Sequence, residues 1–194
     1  MKQIEETWPQ DVRVVFKNKP LSFHPHAKPA ALAAVAAHWQ GKFWEMHDKL
    51  FGNQQKLDDA DLEGYAKVLG LDVAKWKADL ASPKTEDMIK KSDAMCEKNG
   101  ASGTPAFFVN GRYMSGAKPF EEFKVVIEEE LKKAKAELAK GVSREKYYEH
   151  VLKMARSVPG GALEVGVHRF DLTQAPSQGP NNAVATLLIY SDFQ

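Results

Sequence analysis

The stretch AFFVNGRYM, residues 106–114, constrains the fold of this 194-residue chain more than any other. Four apolar residues run into Asn110-Gly111, and RYM leads away on the other side. Asn-Gly is favoured in two-residue hairpin turns because both central residues must take positive φ. The stretch therefore predicts an antiparallel hairpin. A hairpin alone is marginal in water, so more strands must complete its sheet. Two runs can supply them. VRVVFK, residues 12–17, reads as a buried β-branched strand. AVATLLIYSDFQ, residues 183–194, holds the continuous apolar run Leu187–Tyr190 expected of a strand covered on both faces.

The remaining segments are mostly helical. Residues 1–8 read as the last turns of a helix, with Ile4 and Trp8 one turn apart and Pro9 as its stop. After the proline-containing loop NKPLSFHPHAKP, an alanine-rich helix is expected from about Ala30 to Trp39. Phe43, Trp44, His47, Leu50 and Phe51 continue an apolar face beyond Gly41. Three shorter helices follow. Asp58 or Asp59 caps the first and Asp72 the second, and Ser82-Pro83 opens the third, which stops at Asn99-Gly100. Pro119 opens a long helix with Phe120, Phe123, Val126, Ile127 and Leu131 on one face, extended by the charged stretch KKAKAELAKG. A further helix is expected over 143–156, a break at SVPGGA, an edge strand over 165–172 and a loop at TQAPSQGPNN.

Composition narrows the function classes. With 27 basic and 26 acidic residues the net charge is +1, which gives no electrostatic footprint for nucleic acid or an acidic membrane. No apolar run reaches membrane-spanning length, and MKQIEETWPQ is too polar for a signal peptide. Cys96 is the single cysteine, which rules out an internal disulfide and a cysteine-rich zinc site. It reads as a small buried hydrophobe. His24, His26, His38 and His47 read as packing and loop hydrogen-bonding residues, since H-x-H in a proline-rich loop lacks a carboxylate pattern to complete a metal site. Trp39, Phe43, Trp44 and Phe51 read as core, and the lysines of 132–140 as a solvated helix face. No cofactor and no metal is expected.

Three stretches carry a family resemblance: VRVVFKNKPLSFHPHAKPAALAAVAAHWQGKFWEMHDKLF, GASGTPAFFVNGRYMSGAKPFEEF and LLIYSDFQ. Together they resemble the DsbA-like subfamily of thioredoxin-fold thiol–disulfide oxidoreductases. The resemblance implies an α/β fold: a thioredoxin-like mixed sheet with an inserted helical domain, its first strand supplied here by the C-terminal segment. It divides the chain into a DsbA-like domain over 1–131 lacking its first strand and redox motif, with the helical insertion at about 27–98. A helical extension and linker covers 132–162. Residues 163–194 are then the N-terminal strands of such a domain, completing this sheet or that of another copy.

The order is rotated. In the family a strand like LLIYSDFQ comes first, a Cys-x-x-C pair follows it at a helix N-terminus, and that helix ends in something like MKQIEETW. Here the strand is last and the helix end first. The chain would then be a segment of a tandem array or a circular permutant, without the catalytic pair. A helix N-terminus lowers a cysteine pKa and a second cysteine resolves the mixed disulfide. With neither sulfur present, the expectation is a DsbA-like domain that is catalytically incomplete in this chain. The alternative is a non-catalytic thioredoxin-like module that binds polypeptide. A kappa-type glutathione enzyme with a serine ranks below both, because Ser191 lies on the strand side of the motif position.

By resemblance, Thr104 and Pro105 are the substrate-binding residues. The Thr104-Pro105 bond is expected to be cis, presenting the Thr104 backbone as a pairing edge. The implied partners are protein or peptide thiols and disulfides, with no nucleic acid and no membrane insertion, and the implied location is periplasmic or extracytoplasmic. Residues 184–191 are expected beside Val12–Lys17, in parallel. Because Ala134–Lys140 lacks a helix breaker, the reading leans toward a strand exchanged between copies, giving a swapped homo-oligomer.

Overall fold

The computed structural model describes residues 1–154 and 170–194. Among them are eight helices and five strands: α1 (Lys2–Thr7), β1 (Val12–Asn18), α2 (Ala27–His38), α3 (Phe43–Phe51), α4 (Asp59–Val68), α5 (Val73–Leu80), α6 (Pro83–Lys98), β2 (Ala106–Val109), β3 (Arg112–Ser115), α7 (Phe120–Ala139), α8 (Arg144–Met154), β4 (Ser177–Gln178) and β5 (Ala185–Ser191). The expected edge strand over 165–172 and the break at SVPGGA fall largely or wholly outside the described residues.

The strands form one sheet in the order β3-β2-β5-β1-β4. β2 pairs antiparallel with β3 on one side and with β5 on the other. β5 and β1 run in the same direction. The Asp11 carbonyl accepts from the Val184 and Ala185 N–H groups at 3.1 and 2.9 Å, and eight residues on the Lys19 N–H donates to the Ser191 carbonyl at 2.9 Å. The sheet is therefore mixed, and β5 lies in its centre. That position explains the sequence of β5, whose residues are buried along its whole length.

The hairpin turn has the predicted chemistry. Asn110 and Gly111 take φ of +46° and +87°. Asn110 does more than turn the chain. Its side chain donates to the Val184 carbonyl at 3.0 Å and accepts from the Thr186 N–H at 2.8 Å, while its own N–H donates to the Thr186 carbonyl at 2.9 Å. The turn thus extends the β2–β5 ladder by one step with a side-chain amide.

One expectation needs correction. TQAPSQGPNN is not wholly loop: Ser177 and Gln178 pair antiparallel with Val15 and Val14 as the edge strand β4. Gly179 follows at φ +97°, so close to β1 that a Cβ there would meet the Val12 carbonyl oxygen at 2.6 Å. The lean toward strand exchange rested on a helix running unbroken past residue 140. α7 stops at Ala139, Gly141 takes φ +98°, and the strand that fills the slot beside β1 belongs to the same chain. The missing breaker was Gly141 itself, one residue past the helix-forming run.

The chain divides into two compact units, residues 1–16 with 97–190 and residues 17–96 with 191–194. In the first, Phe107 packs edge-on against Phe123 of α7 with ring centroids 4.8 Å apart. Phe108, on the opposite sheet face, meets Tyr113, Phe170 and Tyr190. α1 lies on α7, with Trp8 stacked on Phe120 at 6.0 Å. In the second, α2 is the hub, packed by α3, α4 and α5. Seven of its alanines are buried, which lets neighbouring helices approach closely. The Trp76 indole N–H donates to the Ala33 carbonyl across that contact at 3.1 Å.

Candidate functional site

Thr104 and Pro105 stand at the entry to β2. Gly100, at φ +76°, ends the turn after α6, Ala101 is buried, and Ser102 and Gly103 are exposed. The Thr104–Pro105 peptide bond is cis. Pro105 is already anchored, its carbonyl accepting from the Gly116 N–H at 2.9 Å. The β2–β5 ladder ends at Ala106 opposite Tyr190, so the backbone ahead of Ala106 has left it. Among the described residues nothing hydrogen-bonds the Thr104 backbone. Thr104 is half-buried, two residues ahead of β2.

The residues after β5 are gripped by the second unit. Asp192 is buried, yet its carboxylate accepts from the Leu21 N–H at 3.1 Å and the Gln194 N–H at 3.2 Å, and meets His24 Nδ1 at 2.9 Å. These three partners are what let a carboxylate lie there. Gln194 accepts from the His26 N–H at 2.8 Å, and Gln54 donates to the Phe193 carbonyl at 3.2 Å. The Phe193 ring is buried against Phe51 at 5.0 Å and His47 at 6.0 Å. Burial pushes the His47 pKa below its ordinary value, against the opposing pull of the Asp48 carboxylate at 3.0 Å.

His24 and His26 thus hold the chain after β5, His24 by its ring and His26 by its backbone N–H. His47 packs on Phe193, and His38 contacts Trp39 and Phe43. Asp192 was missed in the sequence. The available signal was an acidic residue closing a fully apolar run, which demands partners if buried, and a proline loop with two histidines that could provide them.

Cys96 is fully enclosed near the end of α6, the setting of an inert thiol rather than an exchanging one. Ser191 is buried too, its hydroxyl donating to the Asp192 carbonyl at 3.3 Å, so it offers no exposed nucleophile. Among the described residues no group of three or more histidine, cysteine, aspartate or glutamate side chains could hold a metal. No helix among them is long and apolar enough to cross a membrane.

The sequence model of the DSBA-like thioredoxin domain matches residues 1–128. Over 118 residues, 60% of this chain, it is 41% identical to Na(+)/H(+) antiporter NhaA 1 of Salinispora arenicola, covering 18% of that protein. It is 44% identical over 106 residues to Na(+)/H(+) antiporter NhaA 3 of Salinispora tropica. That match covers 54% of this chain and 16% of the relative. It is 42% identical over 107 residues to Na(+)/H(+) antiporter NhaA of Herminiimonas arsenicoxydans, with 55% and 17% covered. The chain spans less than a fifth of the length of these relatives. No solved structure matches it. With the family pattern matched along about two thirds of its length, and a mixed five-stranded sheet beneath it, the chain belongs to the DSBA-like thioredoxin domain family.

Proposed function

We infer that this domain binds extended polypeptide by pairing it to the Thr104 backbone, as a thiol–disulfide oxidoreductase domain of the DsbA-like family does, and that it has no redox turnover of its own. The observation that carries the reading is the unpaired Thr104 amide and carbonyl next to Pro105, at the end of a strand held in the middle of the sheet. A peptide laid beside them gains main-chain hydrogen bonds with little sequence demand, which is β-augmentation. Turnover is missing because exchange needs a thiolate and a resolving thiol, and the one cysteine, Cys96, is enclosed. Cysteine-containing polypeptides outside the cytoplasm are the clients this chemistry implies, and residues 1–131 with the strand from 163–194 make up the binding domain.

The NhaA relatives are named as ion antiporters. What this chain shares with them is a region whose described helices are too short or too polar to span a bilayer. We read the shared region as a thioredoxin-type domain within those proteins rather than as their transport machinery, which accords with an extracytoplasmic location.

Fluorescence anisotropy with labelled, reduced and alkylated insulin B chain tests the reading. The intact chain is expected to bind saturably and Thr104→Pro, which deletes the N–H, to bind at least several-fold more weakly with an unchanged circular dichroism spectrum. Equal binding by the two would contradict it. Insulin reduction by dithiothreitol is expected to proceed no faster with the chain than without it. An acceleration that survives Cys96→Ser would overturn the non-catalytic part.

A further inference from the structure

The second unit carries a concave site of its own, apart from the Thr104 edge and the residues around Asp192. A groove of about 510 Å³ lies among α2, α4 and α5. Its floor is apolar: Leu32, Leu62, Trp76 and Leu80. Its lip is charged, formed by Asp59, Glu63 and Lys77. Glu63 is occupied, because Lys67 and Lys77 each reach it at 2.8 Å and hold its pKa down at about 2. Asp59 has no ion-pair partner among the described residues. The unspent charge at the lip is therefore negative.

We propose that this groove binds a cationic apolar segment of a polypeptide, taking a leucine- or phenylalanine-sized side chain on the Trp76 floor and an adjacent lysine or arginine at Asp59. The volume suits one or two side chains. The groove is open to solvent, so it cannot enclose most of a small ligand's surface as a dedicated small-molecule pocket does. A side chain carried on a longer polymer, held also by contacts outside the groove, fits that shape better. Charge selects the neighbour: an arginine beside the apolar side chain meets the free Asp59 carboxylate, and a glutamate there would be repelled by it. The proposal does not depend on the Thr104 reading, since none of its residues takes part in that edge.

The test uses the full chain labelled with 15N and two short peptides in a serine–glycine background, one with a Leu-Arg pair and one with Leu-Glu. The Leu-Arg peptide is expected to shift the Trp76 indole N–H resonance saturably. The Leu-Glu peptide should bind roughly two- to fivefold more weakly, the range for an exposed charge pair. Asp59→Asn should erase most of that difference while leaving the thermal midpoint unchanged. Ala81→Trp, which places an indole over the groove from the exposed end of α5, should abolish the Trp76 response. No saturable shift in the unsubstituted chain, equal affinity for the two peptides, or a charge preference that survives Asp59→Asn would each overturn the proposal. Binding of a simple alkylguanidinium as tightly as the peptide would overturn its polypeptide part.

Discussion

A carboxylate as enclosed as that of Asp192 needs partners for its oxygens. Here they are met by two backbone N–H groups and a histidine ring nitrogen. Asp192→Ala would leave the Leu21 and Gln194 N–H groups without their acceptor, at about 1–3 kcal/mol for each group left unsatisfied. Its urea midpoint should fall well below that of Asp192→Asn, which keeps one acceptor and the shape. His47 gives a matching dependence on pH. Its pKa is lowered from 6.5 by burial, so as pH falls the unfolded chain takes up the proton before the folded one. The stability that neutral His47 contributes is complete above pH 6.5 and drains away below it. Denaturation midpoints measured downward from neutrality should fall less steeply in His47→Phe, whose ring can still pack on Phe51 and Phe193. An identical slope would place the acid sensitivity elsewhere. Residues of this kind were only half legible. The two histidines in the proline loop could be read as hydrogen-bonding groups, but their acceptor lies some 170 positions along the chain, and only the folded sheet brings it to them.

Among the elements, the ones read from sequence with little error are those fixed by local chemistry. The Asn-Gly turn demands positive φ, Asp72 caps α5 by accepting from the Lys75 N–H at 2.9 Å, and Pro83 opens α6. α2 begins at Ala27, ahead of the expected Ala30, because Pro29 is tolerated in a first turn whose N–H groups need no intrahelical partner. β4 was illegible for the opposite reason. Two polar residues carry no periodicity, and their pairing follows from the open edge of β1 and from the glycine beside it. Phe108 and Asn110 mark how β2 is held. Phe108 is enclosed among Tyr113, Phe170 and Tyr190, so Phe108→Ala should destabilise by about 3–5 kcal/mol in chemical denaturation. A loss below about 1 kcal/mol would mean the cluster can collapse into the space. Asn110→Gly keeps the turn but deletes the side-chain bonds to Val184 and Thr186. Asn110→Ala also forces positive φ on a residue that resists it and should be the less stable of the pair by equilibrium unfolding.

At the scale of the whole molecule, chain order and spatial order part company. The strand written last sits at the centre of the sheet, between a strand from the beginning of the sequence and one from its middle. The resemblance foretold that slot and its parallel neighbour. Which copy fills it was not legible, because that depends on where a long helix ends, and α7 ends two residues before Gly141. With β5 in the sheet of its own chain, sedimentation should give a monomer over a wide concentration range. A concentration-dependent dimer would restore the exchanged strand. The β2–β5 pairing ends at Ala106 opposite Tyr190, and the proposed peptide-binding edge is the Thr104 backbone just before it. The most direct test of that claim is the amide spectrum of the 15N-labelled chain titrated with reduced, alkylated insulin B chain. The account predicts that the Thr104 amide shifts saturably, at the same affinity as anisotropy gives, while amides within the β2–β5 ladder stay in place. A bound state in which the Thr104 amide does not move would contradict it.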